Sequence, residues 1–150
     1  MNELSNIDIS QILEQYGINI NGIYSKDMLP NKLEKGWYII NLQNHNKGNG
    51  SHWTCFYLGD SEVSLYFDSF GIDCPEHLHI ELKPYIYNHL EIQNLQSSAC
   101  GFFCIGLIKY IETHKRIIPI YILFERYCHL FSPRTISNDG ILRRILKEDS

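Results

Sequence analysis

His52-Trp53-Thr54-Cys55-Phe56-Tyr57-Leu58-Gly59-Asp60-Ser61-Glu62-Val63-Ser64-Leu65-Tyr66-Phe67-Asp68 reads as two strands and the turn between them. Residues 52–58 and 63–68 are rich in aromatic and β-branched side chains, and Gly59-Asp60-Ser61-Glu62 supplies the turn. With the turn centred near Asp60, His52 comes to lie opposite Asp68. Directly opposed residues of an antiparallel pair share a face, with Cβ atoms about 4.5–5.5 Å apart. An imidazole and a carboxylate then meet at the open end of the hairpin, where the contact fixes the ring tautomer and stabilises the imidazolium. A slip of one residue would send one partner to the other face. Taken alone, such a pair reads first as a surface contact without chemistry.

Upstream of the hairpin, Trp37 to Leu42 predicts a further strand, followed by an Asn- and Gly-rich loop, Gln43 to Ser51, whose composition would allow it to close over a substrate. The polar stretch Asn19 to Lys35 is expected to wrap the surface. Asp8 to Tyr16 places Ile9, Ile12, Leu13 and Tyr16 on one helical face, with Gly17 as the stop. Downstream, Leu78, Leu82, Ile86 and Leu90 predict a helix over Glu76 to Leu90, disturbed by Pro84. Glu91 to Leu95 suggests a short strand. Cys100 to Thr113 is apolar nearly all round, the mark of a helix buried on most sides. Helices are also expected over Ile120 to Phe131 and Asn138 to Lys147, the latter capped by Ser137 or Asn138. Helices and strands in this order define an α+β fold rather than a regular βαβ alternation.

The chain has 150 residues, 44% of them hydrophobic and 13% aromatic, with a net charge of −4. That composition predicts one domain, residues 1–150, that buries roughly 68–70% of its unfolded surface. No apolar run reaches the roughly 18–20 residues that a bilayer requires, so no membrane association is expected. Met1-Asn2-Glu3-Leu4 is polar and acidic, unlike a secretory signal. Thirteen basic against 17 acidic residues give no excess positive field, which argues against nucleic acid as a partner.

The five cysteines, Cys55, Cys74, Cys100, Cys104 and Cys128, are odd in number and irregularly spaced, which argues against a disulfide framework. Cys74, His77 and His79 lie close together but lack the matching second half of a structural zinc motif. The cluster reads as a polar loop entering a helix, and no metal or other cofactor is expected. Cys100 differs from the rest. Ser97 or Ser98 would cap the helix that follows, placing Cys100 in its first turn, where the helix dipole and free N–H groups favour a thiolate and can hold an oxyanion. A small buried thiol is the equal alternative at this point.

Three segments, taken in order, carry more than spacing does: Gly50-Ser51-His52-Trp53, then Tyr66-Phe67-Asp68-Ser69-Phe70-Gly71, then Gln93 followed by Ser98-Ala99-Cys100-Gly101-Phe102-Phe103-Cys104. Together they resemble the adenain family of viral maturation proteases, including relatives in virophages and Polinton-type elements. More distantly, they resemble the ubiquitin-like-protein proteases of the same clan. Asn21 to Pro30 and Tyr38 to Leu42 also resemble the virophage and Polinton enzymes. The resemblance covers most of the chain up to about Tyr110 and is weaker beyond it. Asp68 stands where adenain has a glutamate in a similar setting.

The resemblance implies a small central mixed sheet flanked by helices, with the nucleophile at the N-terminus of a buried helix. It implies Cys100 as nucleophile, His52 as general base and then acid, and Asp68 as the group that orients His52. Gln93, seven residues before Cys100, would donate to the oxyanion together with the Cys100 N–H, with Gln96 a rival at the wrong spacing. Trp53 would pack beside the site and Gly101 would let a substrate backbone approach. The implied activity is cysteine endopeptidase cleavage of virion precursor proteins at small, Gly-containing sites. The expected setting is the virion or the cytoplasm of the infected cell, with protein or peptide substrates (virion precursor proteins) as partners and a monomer as the expected state. Two alternatives stand beside it: a deubiquitinating or deSUMOylating isopeptidase, and a non-catalytic module holding zinc through Cys74, His77 and His79.

Overall fold

A computed structural model describes residues 1–43 and 52–148. Gly50 and Ser51 of the first motif, and the expected substrate-closing loop beyond Gln43, lie outside the described residues. The chain runs α1 (Asn6–Gln15), β1 (Gly22–Ser25), β2 (Gly36–Asn41), β3 (Trp53–Leu58), β4 (Ser64–Phe67), α2 (Glu76–Leu82), β5 (Tyr85–Tyr87), α3 (Cys100–His114), α4 (Ile120–His129) and α5 (Asn138–Glu148). The fold is α+β. Its five strands lie in chain order, with β1 parallel to β2, β2 to β3 and β3 to β4 antiparallel, and β4 parallel to β5, so the sheet is mixed. No helix among the described residues is long and apolar enough to cross a membrane.

The period-2 alternation of strands divides the core in two. Trp37, Ile39, Trp53, Cys55, Leu65 and Phe67 point to one face and pack in one cluster with α3 and residues of α1, α4 and α5. Tyr38, Ile40, Phe56 and Tyr66 point to the other and meet Leu78 and Leu82 of α2. A helix covers each face, so β2 is buried at every position after Gly36.

The α1 helix begins one turn earlier in effect than its apolar stripe, because Ser5 and Asp8 form a capping box: the Asp8 N–H donates to Ser5 Oγ at 3.1 Å, and the Ser5 N–H to Asp8 Oδ2 at 2.9 Å. Gly17 takes the left-handed conformation (φ 70°) just past its end. The stretch expected to wrap the surface contains β1, a four-residue strand too short and too polar to show a period. The helix expected over Glu76 to Leu90 stops at Leu82. Lys83, before Pro84, is extended (ψ 133°), and the chain continues as β5 along β4. The strand suggested over Glu91 to Leu95 does not form; the segment is a loop whose Ile92 and Gln93 N–H groups both donate to the Ser69 carbonyl, at 2.8 and 2.9 Å.

The α3 helix is buried along most of its length, as its composition demands. Gly106 lets α4 approach: a Cβ there would stand 2.6 Å from the Tyr127 hydroxyl, which donates to the Phe103 carbonyl at 2.8 Å. Lys109, also buried, donates to the Leu146 carbonyl of α5 at 2.8 Å and lies 4.3 Å over the Tyr16 ring.

Candidate active site

The hairpin register differs from the expected one by two residues. Cys55 faces Phe67, Phe56 faces Tyr66 and Tyr57 faces Leu65, so the turn is centred one residue later than Asp60. Continued at the same spacing, the ladder sets Phe70, not Asp68, opposite His52, and the two rings stack with centroids 4.8 Å apart. An even displacement preserves the face. His52 and Asp68 therefore still meet, on the diagonal, with Nε2 of His52 2.8 Å from Oδ1 of Asp68.

Asp68 is fully buried and held at both ends of its peptide unit. Its N–H donates to Asn88 Oδ1 at 3.1 Å, and Asn88 Nδ2 donates back to the Asp68 carbonyl at 2.6 Å. Oδ1 also accepts from the Phe70 N–H at 2.8 Å, while Oδ2 is buried without a hydrogen-bond partner. The turn closes through the Gly71 N–H to the Asp68 carbonyl at 2.7 Å. Gly71 sits at φ 77°, where a Cβ would stand 2.9 Å from the Leu90 carbonyl.

Cys100 is the first residue of α3. The residue before it, Ala99, occupies the cap position without a side-chain cap, in place of the Ser97 or Ser98 cap expected. Ser97 Oγ instead accepts from the Ala99 N–H at 3.1 Å and donates to the Asp139 carboxylate of α5 at 2.9 Å. Two sulfurs one helical turn apart grip the backbone of a single strand residue: the Trp53 N–H donates to Cys100 Sγ at 3.3 Å, and the Cys104 thiol donates to the Trp53 carbonyl at 3.5 Å. This clamp fixes the start of β3, and hence His52, against the start of α3.

Burial works against a charged His52, yet the hydrogen bonds to Asp68 and Cys100 and the charge of the Asp68 carboxylate outweigh it. The imidazolium is held up to about pKa 9. Since Nε2 is taken by Asp68, Nδ1 is the nitrogen left for the sulfur. His52, Asp68 and Cys100 thus form a chain of acid, imidazole and thiol in which the ring stays protonated near neutral pH.

Gln93 is buried and its amide orientation is fixed. Ser69 Oγ donates to Oε1 at 2.5 Å, which leaves Nε2 as the donor end; one of its hydrogens goes to the Ser97 carbonyl at 2.8 Å. Gln96 is exposed, its N–H turned to Asn94 Oδ1. Trp53 is a core residue whose indole donates to the Leu4 carbonyl at 2.8 Å. At Gly101, the atoms nearest an added Cβ are Leu4 Cδ1 at 3.2 Å and Trp53 Cδ1 at 3.4 Å, so the close approach seen there is that of the chain's own N-terminal segment. Ser69 and Cys104 lie inside the quoted segments but carry no expected role there, and Asn88 lies outside them; none of the three stands among the expected site residues. Of the Cys74, His77 and His79 group, the fold brings Cys74 and His79 together with Asp73 and leaves His77 exposed.

Compared with known proteins, the sequence matches no family model and no curated protein. Among solved structures, it is similar to the central domain of the uncharacterized Lpg1148 protein from Legionella pneumophila, at 15% identity over 99% of this chain and 84% of that one. The TM-score of 0.39 is too low for that likeness to bear on fold or function.

Proposed function

We propose that the chain is an adenain-like cysteine endopeptidase that cuts virion precursor proteins, acting as a monomer in the virion or infected-cell cytoplasm at small, Gly-containing sites. The observation that supports it is one: the sulfur at the start of α3 lies against a protonated imidazole that is itself 2.8 Å from a buried carboxylate. A nucleophile, a base and an orienting group in hydrogen-bond sequence are what acyl transfer requires.

In this reading the Cys100 thiolate attacks the scissile carbonyl carbon, and the carbonyl electrons move to oxygen. The Cys100 N–H has no acceptor within its own helix, and Gln93 Nε2 has a second hydrogen beyond the one given to Ser97, so each has a hydrogen to offer that oxyanion. His52 then gives its proton to the leaving amine as the C–N bond breaks, leaving a thioester on Cys100. Neutral His52 next takes a proton from water, whose hydroxide attacks the thioester. The C–S bond breaks, the acid product leaves, and the thiolate–imidazolium pair is restored.

Incubation of the protein with candidate virion precursors, read by mass, tests this. Cys100→Ala should abolish cleavage, and Gln93→Ala should slow it by roughly 10²–10³. Cleavage by Cys100→Ala at the wild-type rate would sink the reading, as would a silent wild-type protein across the precursor set. Turnover of ubiquitin– or SUMO–fluorophore conjugates with no cut in the precursors would move the same centre to the isopeptidase reading.

A further inference from the structure

A second set of donors converges where the segment after Asp68 turns into α2. Asp73 and Cys74 end that segment, and His79 reaches back to them from α2. One oxygen, sulfur or nitrogen from each lies within 4.8 Å of the other two. We propose that Asp73, Cys74 and His79 form a three-donor site for a divalent transition ion of the zinc class, with the fourth position open to water.

The chemistry of the donors fits. A thiolate, an imidazole and a carboxylate are the three side chains zinc takes, and one thiolate plus one carboxylate balance its two positive charges. Metal–ligand bonds of about 2.0–2.3 Å in a tetrahedron place donor atoms about 3.3–3.6 Å apart. His79 Nε2 is already 3.7 Å from Asp73 Oδ2. The carboxylate is pre-set from its other oxygen: Oδ1 accepts from the Cys74 N–H at 2.7 Å and from the Tyr85 hydroxyl of β5 at 2.8 Å, leaving Oδ2 for the shared centre. The His79 ring lies 6.0 Å from that of Tyr85, which limits its swing. Among the described residues, no lysine or arginine pairs with Asp73. The sulfur is buried while the side chains of Asp73 and His79 remain 37% and 43% exposed, so the ion has a route in. Binding would replace the bond between His79 Nε2 and the Cys74 carbonyl, now 3.0 Å, and would tie the segment that follows Asp68 to α2.

Cobalt(II) titration of the full chain carrying Cys100→Ala tests the site independently of any protease activity. The expected result is one Co(II) per chain, with a near-ultraviolet thiolate-to-cobalt band. The band should vanish in Cys74→Ala, affinity should fall roughly tenfold or more in His79→Ala, and His77→Ala should change nothing. His79 is half-exposed, so its removal leaves a folded protein even if Cys74→Ala does not fold. Absence of a thiolate band in the Cys100→Ala chain, or equal losses from His77→Ala and His79→Ala, would overturn the proposal.

Discussion

His52 is kept charged by its two neighbours against the pull of burial, and that balance sets how the site responds to pH. With the imidazolium held up to about 9, kcat/KM on a peptide substrate should fall on a basic limb near pH 9. Asp68→Asn removes the strongest opposing hydrogen bond and a charge but leaves the burial. The limb should then move to lower pH by roughly one unit or more, and a limb that stays in place would remove Asp68 from its orienting role. The same shift has a sign for stability. A ring whose folded pKa lies above its unfolded value of 6.5 contributes fully below pH 6.5 and loses that contribution as pH rises through about 9. Ser69 gives a subtler case. Its hydroxyl holds Gln93 Oε1 and so decides which end of the amide faces away as a donor. Ser69→Ala should lower kcat by roughly tenfold with KM little changed, and Ser69→Thr should restore most of it; a loss confined to KM would assign Ser69 to substrate binding instead. His52, Asp68, Gln93 and Cys100 could be picked from the sequence because each sits in a motif at fixed spacing. Ser69 and Asn88 could not, since their value lies in partners that only the folded turns bring near.

The elements were legible where length allowed a period to show. The long α3 helix declared its burial through composition, and the hairpin declared itself through its aromatic and β-branched strands and the turn between them. Its register was off by two residues because the chain pairs about a turn centred on Ser61, which nothing in Gly59-Asp60-Ser61-Glu62 distinguishes from Asp60. The His52–Asp68 contact survived because only an odd slip changes the face. The three- and four-residue strands β5 and β1 are too short for any period. Residues of β5 were absorbed into a neighbouring helical pattern that Pro84 in fact terminates. Gly106 offers a test of how closely α3 and α4 are fitted. An alanine there would gain about 1 kcal/mol in helix propensity, but its Cβ would meet the Tyr127 hydroxyl at 2.6 Å and Leu142 Cδ1 at 2.9 Å. Tyr127 is fully buried and bonded to Phe103, so it cannot simply step aside. Gly106→Ala should destabilise the protein by about 1–3 kcal/mol in chemical denaturation, and by clearly less in a Tyr127→Phe background. Equal costs in both backgrounds would show that the hydroxyl is not the obstacle.

The whole molecule places its candidate chemistry at one end of the sheet, where the start of β3 and the end of β4 meet the start of α3, the helix that packs on their shared core. All five thiols are buried and none is in a disulfide, yet the two-core architecture gives them different surroundings. Cys55, Cys100, Cys104 and Cys128 lie in the core on the α3 face of the sheet, and Cys74 lies in the smaller core on the α2 face. Burial pushes the Cys104 thiol well up and raises Cys128 to about 12, so neither offers an appreciable thiolate near neutral pH. Cys100 shares that core but is the first residue of α3, with the His52 imidazolium as its neighbour. Alkylation of the native protein with iodoacetamide at pH 7.5, resolved by peptide mass, should therefore modify Cys100 first, by roughly a hundredfold or more over Cys104 and Cys128. Labelling of those two should follow unfolding and rise with denaturant, because both are packed in the core between the sheet and the helices α3 and α4. His52→Ala should slow labelling of Cys100 without touching the others. If Cys128 reacts as fast as Cys100 in the native state, the α4 side of the core opens on its own, and the distinction drawn between Cys100 and the packed thiols fails.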